Sequence, residues 1–369
     1  MIYLDNGATS FHKPAAVYRG VMDAMRSCAS PGRGGHRAAM AADRRIYGCR
    51  EQAAELFDCE PQQVVLTTSC THGLNIAIRT LVKPGGRVVI TGFEHNAVTR
   101  PLHALKARMI VAGKKLFDWD DTLAEFEEAL RQGVDAAVFT HVSNVFGYIL
   151  PVEKMAMLCR QYGIPFVIDA AQSAGTLPLS LKNLGADFIA MPGHKGLLGP
   201  QGTGLLLCSG EGQPLLQGGT GSESALQEMP SFLPDRLEPG TLNVPGFAGL
   251  REGLRYLNRV GPASIHAREH QQMERCAAGL KQLGMRVFSG PHQAATVSFL
   301  PGMDCEEAAA FLAEQGIAVR AGLHCAPYAH ESAGTLRTGT VRVSFGFDCN
   351  AAETAAFLRS ASKLPHFAP

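Results

Sequence analysis

The chain has 369 residues, of which 46% are hydrophobic and 18% charged, enough apolar material for a large core and for two domains. Its formal net charge of +1 gives no electrostatic reason to expect nucleic acid as a partner. It contains no apolar run long enough to span a bilayer, and its start lacks the basic segment and long apolar centre of a signal peptide. We therefore expect a cytoplasmic protein with no membrane partner.

The ten cysteines are scattered along the chain and form no C-x-x-C pair. This spacing favours neither a disulfide framework nor a metal site. Most of these thiols are expected to be small core residues, so a nucleophilic cysteine must be recognised from its neighbours.

Hydrophobic periodicity predicts helices over 13–27 and 36–57, and the glycine-rich loop 30–36 is interpreted as their connection. From residue 64, short apolar runs alternate with helical patterns. The predicted strands are 64–68, 87–91, 108–112, 136–141, 165–169, 188–191 and 204–208, and the predicted helices between them are 71–82, 121–132 and 152–162. This alternation predicts one mainly parallel sheet covered by helices on both faces, with ligands beyond the carboxyl ends of its strands.

The pattern changes near residue 249 and predicts a smaller α/β domain. Its predicted elements are a long helical region at 249–284, strands at 295–299, 318–320 and 341–345, and helices at 305–315 and 351–363. We divide the chain into a large domain, 16–248, and a small domain, 249–369 together with 1–15. No G-x-G-x-x-G follows the first predicted strand, which disfavours a nicotinamide dehydrogenase.

Lys195 is the residue around which the functional interpretation is built. It follows the apolar run 188–191 after Pro192 and Gly193. Burying an unpaired lysine at a strand end costs on the order of several kcal/mol. Condensation of the amine with an aldehyde removes that cost, and desolvation promotes it by lowering the lysine pKa. A surface lysine in a turn is the alternative interpretation.

Other polar residues follow neighbouring strand ends. The segment 67–73 joins a strand to a helix, where hydroxyls and free N–H groups suit a phosphate, although ordinary capping by Ser69 or Thr71 explains the same residues. His95 follows the next strand and has a flat ring that suits an aromatic ligand. Asn144 comes shortly after the strand 136–141.

Asp169 ends the apolar strand 165–169, and Gln172 lies one turn further on. A buried carboxylate is costly unless it meets a cation. The protonated ring nitrogen of pyridoxal 5'-phosphate is such a cation, and an aspartate beside it keeps the ring an electron sink. The joint occurrence of these groups at one sheet edge therefore indicates a cofactor site.

Taken together, these segments resemble the class V aminotransferase family, in its cysteine desulfurase and selenocysteine lyase branch. The resemblance covers nearly the whole chain, and it rests on the stretches 3–9, 71–75, 94–97, 141–147, 169–172, 193–202, 238–243 and 320–325. It implies an aspartate-aminotransferase-like α/β fold with a seven-stranded, mainly parallel sheet and a smaller C-terminal domain. It also implies pyridoxal 5'-phosphate as the cofactor and a homodimer.

The resemblance assigns roles around the cofactor ring. Lys195 would bind the cofactor covalently, and Asp169 would pair with the pyridine nitrogen. Gln172 would contact the ring hydroxyl. His95 would stack on the ring and act in catalysis, and Asn144 would contact cofactor and substrate.

The resemblance also assigns the phosphate site. Thr71, the backbone at Cys70 and His194 would hold the phosphate, and Thr241 would reach the phosphate of the other subunit. Two departures from the family pattern bear on these contacts. Many relatives have a hydroxyl residue where this chain has Cys70, and serine where it has Pro192, so two side-chain oxygens are missing near the phosphate.

For the substrate carboxylate the resemblance offers two arginines, Arg320 and Arg342, because a guanidinium presents forked donors. We favour Arg342, because it lies within the strand 341–345.

Cys325 is the cysteine that its context singles out as a nucleophile. It follows His324 and lies five residues after Arg320, and a thiolate near cationic groups has a lowered pKa. We expect L-cysteine, or L-selenocysteine, as the substrate: Lys195 removes the Cα proton, Cys325 attacks the sulfur, alanine leaves and a persulfide remains. The Cys325 segment is short, so a sulfur-accepting protein is expected to dock near it.

Other functions on the same scaffold stay open at this point. They are a selenocysteine lyase, another class V aminotransferase or an epimerase. A cofactor-binding regulatory protein without turnover is an alternative of another class.

Overall fold

A seven-stranded sheet forms the centre of the structure, a computed structural model that describes residues 1–32 and 34–365. Arg33 of the predicted glycine-rich loop and residues 366–369 of the predicted small domain lie outside the described part. Within that part, no helix has both the length and the apolar character needed to cross a bilayer.

The strands are β1 Ile2–Tyr3, β2 Val64–Thr67, β3 Arg87–Thr91, β4 Arg108–Ala112, β5 Ala136–Thr140, β6 Phe166–Asp169, β7 Phe188–Pro192, β8 Gly204–Cys208, β9 Arg286–Phe288, β10 Thr296–Leu300, β11 Ile317–Ala318, β12 Arg320–Gly322 and β13 Thr340–Ser344. The helices are α1 Ala15–Ser27, α2 Arg37–Phe57, α3 Cys70–Leu81, α4 Asn96–Ala104, α5 Trp119–Arg131, α6 Val152–Tyr162, α7 Leu181–Leu184, α8 Val244–Val260, α9 Pro262–Gln282, α10 Cys305–Glu314, α11 Pro327–Ala333 and α12 Ala351–Ala361.

The large sheet has the strand order β2-β8-β7-β6-β5-β3-β4. Strands β3 to β7 pair in parallel, and only β8 runs antiparallel to its two neighbours. Every residue of β5, β6 and β7 is buried, as expected for strands covered by helices on both faces. The predicted fold class, a mainly parallel seven-stranded sheet with a smaller α/β unit, is confirmed.

The parallel register decides where the polar residues meet. Thr140 pairs with Asp169, and Asp169 in turn pairs with Ala190. The carboxyl ends of β5, β6 and β7 therefore lie side by side, and the segments that follow them leave the sheet at the same edge.

A second sheet, β12-β13-β10-β9, is antiparallel and has its own core, in which Phe299 and Phe357 pack against Leu4. The predicted single strand 318–320 is wrong. Ile317–Ala318 pairs with β1 at the start of the chain, whereas Arg320–Gly322 pairs with β13, so Val319 separates strands of two sheets. The partners of both strands are distant in sequence, which is why local pattern did not reveal the division.

The long helical region predicted at 249–284 is two helices. Gly261, at φ 84°, ends α8 in a conformation that favours glycine, and Pro262 opens α9, the position where proline is tolerated. Three further helices, α4, α7 and α11, were not predicted. All are short, and α4 and α11 contain Pro101 and Pro327. The division into domains stays a prediction, and its proposed limit at 248/249 falls within α8.

A buried ion pair ties the segment after the large sheet to its edge strand. Arg50 on α2 donates to both carboxylate oxygens of Glu238, at 2.7 and 2.6 Å, and both side chains are less than a tenth exposed. The same carboxylate accepts the backbone N–H of Leu66 in β2 at 2.5 Å, and Arg50 donates to the carbonyl of Val64. Both carboxylate oxygens of Glu238 are thereby engaged. Burial lowers the pKa of Arg50, but the charge and hydrogen bonds of Glu238 together outweigh that effect and leave the pKa raised.

We predict that Arg50→Met or Glu238→Gln alone lowers the free energy of unfolding by about 3–5 kcal/mol, because each leaves a buried charge without its partner. The double variant is expected to be closer to wild type than either single variant. Urea unfolding measures these differences. Lys115→Met, which removes the exposed lysine of the pair with Asp121, is the control and is expected to cost about 1 kcal/mol or less. A cost of that size for Arg50→Met would contradict the prediction.

Candidate active site

A cavity of about 240 Å³ lies at the carboxyl edge of β5, β6 and β7. It brings together all but one of the predicted site residues. Those that line it are Cys70, Thr71, His95, Asn144, Asp169, Gln172, His194, Lys195, Arg320, Arg342 and Cys325. The grouping follows from the parallel register, because each of β5, β6 and β7 ends at this edge.

Asp169 and Lys195 form the centre of this cavity. Asp169 is the last residue of β6 and is 2% exposed, and its Oδ1 accepts the backbone N–H of Ala171 at 2.9 Å. Burial raises the pKa of Asp169, while the lysine charge opposes that shift. Burial lowers the pKa of Lys195, while the Asp169 carboxylate opposes that shift. Each group therefore stabilises the charged form of the other in a site that disfavours both charges.

His95 is the N-cap of α4, where its Nδ1 accepts the backbone N–H of Ala97 at 3.0 Å. Accepting that bond places the ring proton on Nε2. Burial, with the nearby lysine charge as the next cause, lowers the pKa of His95 to about 4. The imidazole is therefore neutral at physiological pH, with one fixed tautomer.

Glu94 positions this histidine, a role that sequence reasoning missed. The side chain is fully buried, and its Oε1 accepts from the Thr91 hydroxyl at 2.6 Å and from the backbone N–H of Thr140 at 3.0 Å. These bonds join the ends of β3 and β5 directly before His95. Burial raises the pKa of Glu94 to about 8, so the carboxyl is mainly protonated at neutral pH. The sequence signal that could have revealed this role was a glutamate directly before a histidine at the end of a predicted strand.

The N-terminus of α3 lies at one side of the cavity. Ser69 caps the helix by accepting the N–H of His72 at 3.2 Å, and the first N–H groups of a helix have no intrahelical partner. Cys70 and Thr71 therefore present backbone donors toward an anion. Cys70 lies 3.5 Å from Asp169 Oδ1, and burial raises its pKa well above the usual value, so it stays a thiol.

His194 is held by the N-terminal segment of the chain. Its Nδ1 lies 3.0 Å from the Thr9 hydroxyl, and its carbonyl accepts from the backbone N–H and hydroxyl of Ser10, both at 3.0 Å. Burial lowers the pKa of His194 to about 4, so this ring is also neutral. The sequence analysis used residues 3–9 as part of the family resemblance but did not predict that this segment holds His194.

Cys325 lies in a tight turn at the mouth of the cavity and is exposed. His324 and Cys325 both have positive φ angles, 48° and 57°, a conformation that costs non-glycine residues about 1–3 kcal/mol each. The turn is held from outside: Asn144 Nδ2 donates to the carbonyl of His324, and the N–H of Asn96 donates to the carbonyl of Cys325, both at 2.7 Å. The thiol is thus presented by a rigid turn rather than by a flexible loop.

One part of the argument for Cys325 was wrong. His324 is buried, and burial lowers its pKa to about 2, so it is neutral and does not supply a cationic charge to the adjacent thiol. Its ring instead contacts the carbonyl of Thr340 at 3.2 Å. The cationic residues that line the cavity with Cys325 are Lys195, Arg320 and Arg342.

The two arginines differ in environment. Arg342, 1% exposed in the middle of β13, donates to Asp5 Oδ1 at 2.6 Å and to the carbonyl of Asn144 at 2.9 Å. These bonds use two of its five N–H donors. Arg320 is exposed at the start of β12, and its guanidinium has no hydrogen-bond or ion-pair partner in the two described ranges, 1–32 and 34–365. The partner Asp5 was not foreseen from the sequence.

Thr241 is the one predicted residue that the structure does not bring to this cavity. It is exposed and lines a separate pocket with Asp43, Thr220 and Ser222. Its predicted contact with the phosphate of another subunit stays a prediction.

The fold and the site together define an α/β protein whose cavity is built around a buried lysine and aspartate at the carboxyl edge of a parallel sheet. The profile of the aminotransferase class-V family matches residues 2–357. The chain belongs to the class V aminotransferase family.

Individual relatives agree with this assignment. The chain is 32% identical to a protein of Methanothermobacter thermautotrophicus named as a probable cysteine desulfurase, an alignment that covers 91% of this chain and 89% of the relative. It is also 32% identical to a probable cysteine desulfurase of Pyrococcus abyssi, over 97% of this chain and 92% of the relative. The apo structure of a cysteine desulfurase from Thermococcus onnurineus superposes with a TM-score of 0.89 at 31% identity, covering 97% of this chain and 93% of that structure.

We predict that an alkylating reagent such as iodoacetamide modifies Cys325 faster than any other cysteine of the described residues. Cys28, Cys59 and Cys349 are half-buried, and burial raises the pKa of Cys59 and of Cys349 to about 12. Mass spectrometry of time-resolved digests measures the order of modification. The fast phase should vanish in Cys325→Ser. If Cys28 were modified before Cys325, the turn that carries Cys325 would not present its thiol to solvent.

Proposed function

We propose that this protein is a pyridoxal 5'-phosphate-dependent cysteine desulfurase that converts L-cysteine to L-alanine and leaves the sulfur on Cys325 as a persulfide. The observation that carries the proposal is that Lys195, Asp169 and the exposed Cys325 line one cavity. Each supports a different part of the reaction: cofactor attachment, charge stabilisation and sulfur acceptance. The relatives named as cysteine desulfurases support the same activity.

The residues present fit the cofactor. The buried carboxylate of Asp169 accepts one backbone N–H, and a cationic ring nitrogen would complete its coordination. The N-terminus of α3 suits the phosphate, and the neutral thiol of Cys70 adds no repulsive charge there. Lys195 would hold the cofactor covalently, and His95 would cover one face of its ring.

The remaining contacts to the cofactor would come from the predicted neighbours. Gln172 lines the cavity and would face the ring hydroxyl. Its amide nitrogen, Nε2, donates to the carbonyl of Gly7 at 3.0 Å. That bond leaves the amide oxygen available as an acceptor. His194 and Thr71 would complete the phosphate site.

The bound cofactor supplies an electron sink for the negative charge that develops at the substrate Cα. Once the amine of the substrate has replaced its bond to the cofactor, Lys195 would be free to take the Cα proton, a role that its lowered pKa favours because the neutral amine is the base. Arg342 receives the substrate carboxylate with donors that Asp5 and Asn144 leave unused, while these two partners hold the plane of the guanidinium. Arg320 at the cavity mouth is the second cation for the carboxylate.

Cys325 performs the sulfur transfer. Its thiolate forms a bond to the substrate sulfur as the bond from that sulfur to Cβ breaks. The electron pair of the broken bond stays on the carbon fragment, which takes up protons and leaves as alanine. The persulfide remains at the mouth of the cavity, on the rigid turn held by Asn144 and Asn96.

A rigid turn carries a persulfide only a short distance, so we propose that a sulfur-accepting protein docks at the mouth of the candidate active site.

We also propose a homodimer. Two observations support it. Tyr18, Met22 and Met25 form an apolar face on α1 and are each about half exposed or more, and Thr241 does not line the candidate active site of its own chain. A cytoplasmic location is proposed because the cysteines are all free thiols in the described residues.

We predict that borohydride treatment of the cofactor-loaded protein fixes the cofactor on Lys195. Peptide mapping by mass spectrometry locates the tag. Lys13 provides a matched comparison, because burial lowers its pKa to about 8 and it lies beside Ser10 near His194. Lys195→Ala is expected to lose the tag and to lower turnover by about 10²–10⁴-fold, whereas Lys13→Ala keeps the tag. A tag on Lys13 would overturn the cofactor assignment.

We predict that Cys325→Ala still binds L-cysteine but releases alanine at least about 10²-fold more slowly, because the sulfur has lost its acceptor. Quantifying alanine measures the effect, and Cys28→Ala is the control that keeps the parent rate. L-selenocysteine is assayed in parallel, since selenium leaves more easily and this variant is expected to retain more activity with it. Alanine release from L-cysteine at the parent rate would exclude Cys325 as the acceptor.

A further inference from the structure

A second cavity lies behind the candidate active site and has a volume of about 50 Å³. It shares lining residues with the larger cavity, among them Gln172 and Lys195, but Cys325 does not line it, and segments of both sheets contribute to its wall. Part of its wall is apolar and comes from both units, chiefly Leu198, Ile265 and Phe345, and polar side chains such as Ser10 and Thr296 line the rest. We call it the Glu269 cavity after the one acidic residue that lines it.

Glu269 is unusual among the carboxylates of this protein. It projects from α9, is only 7% exposed and lines the cavity, yet it has no hydrogen-bond or ion-pair partner within residues 1–32 and 34–365. The charged group that influences Glu269 is Asp348, which is itself an acid and therefore disfavours a negative charge on Glu269. A buried carboxyl without a partner costs free energy, so a donor, above all a cation, would be favourable here.

Size and lining restrict what fits. One water molecule needs about 10–15 Å³ of such volume, so the cavity has room for about four groups of that size. An apolar wall beside one carboxylate suits an alkyl chain that ends in an ammonium group, whereas a bare metal ion would lose contacts along the wall. The structure places no group of three or more metal-ligating His, Cys, Asp or Glu side chains among the residues it describes.

We propose that the Glu269 cavity binds a small primary alkylammonium ion, with its ammonium group on the Glu269 carboxylate and its alkyl chain against Ile265, Leu198 and Phe345. This site goes beyond the proposed desulfurase activity and does not depend on it. Neither Cys325 nor Arg342 lines this cavity, so an amine bound there is not held by either residue.

The free carboxyl has its own signature in stability. Burial, with Asp348 as the next cause, raises the pKa of Glu269 to about 8, and the titratable groups around it are Lys195, Asp348 and Cys349. An acid with a raised folded-state pKa binds more protons when folded, so stability is lost as the pH rises from about 4.5 to about 8. We predict that Glu269→Gln raises the thermal midpoint and that the gain grows between pH 5 and pH 9. If Glu269→Gln and the wild-type protein had equal thermal midpoints at both pH values, the Glu269 carboxyl would not be a buried group without a partner.

The binding test uses propylammonium chloride, with potassium chloride and 1-propanol as matched probes at the same concentrations. The cofactor-loaded protein is first treated with borohydride, so that an amine does not displace Lys195 from the cofactor. Peptide mapping reads the Lys195 tag separately, so failure of the cofactor assignment and failure of this proposal are distinguishable. Isothermal calorimetry and the thermal midpoint measure binding.

Propylammonium is expected to bind and to raise the midpoint, whereas potassium and 1-propanol are not. Glu269→Gln should weaken propylammonium binding about 10- to 100-fold, the loss of one hydrogen bond between charged groups. Glu269→Asp, which withdraws the carboxylate by one methylene, should weaken it less, and Glu274→Gln on the exposed face of α9 should leave it unchanged. Equal binding of potassium, equal binding of 1-propanol, or undiminished propylammonium binding in Glu269→Gln would each overturn the proposal.

Discussion

The electrostatic influence of Asp169 and Lys195 on each other, beside the ends of two neighbouring parallel strands, is the interaction on which the site depends. Because β6 and β7 are neighbours in parallel register, the residues that follow them leave the sheet together. Burial disfavours both charges, and each charge offsets part of that cost for the other. The cavity around them is therefore poised for a ligand that brings a cation to the carboxylate and an electrophile to the amine.

The other half of the site depends on contact between the two sheets. Asn144, from the segment after β5, binds the carbonyl of His324 through its side chain, and its own carbonyl accepts from Arg342 in β13. Asp5 at the start of the chain completes the same network. The conformation of the Cys325 turn, strained at two residues, is stable only while these contacts exist. The Cys325 turn and the cavity around Lys195 are thus joined by hydrogen bonds across the two units.

Sequence reasoning succeeded where a residue type is costly in its local setting. Lys195 and Asp169 stand at the ends of apolar runs, and that burial cost is visible in the sequence alone. It failed where the deciding contact is distant. The two short strands around Val319 pair with the first and the last strands of the chain, and the neutrality of His324 results from burial under elements remote in sequence.

By itself, the sequence determined the alternation of strands and helices, the parallel sheet and the set of polar residues at its carboxyl edge, because periodicity and burial cost are local properties. Only the tertiary structure decided the tautomer of His95, the pairing of Arg342 with Asp5, the strained turn of Cys325 and the unpartnered carboxyl of Glu269. Each of these depends on which groups approach from other elements, and hydrogen-bond geometry and desolvation arise only from that approach.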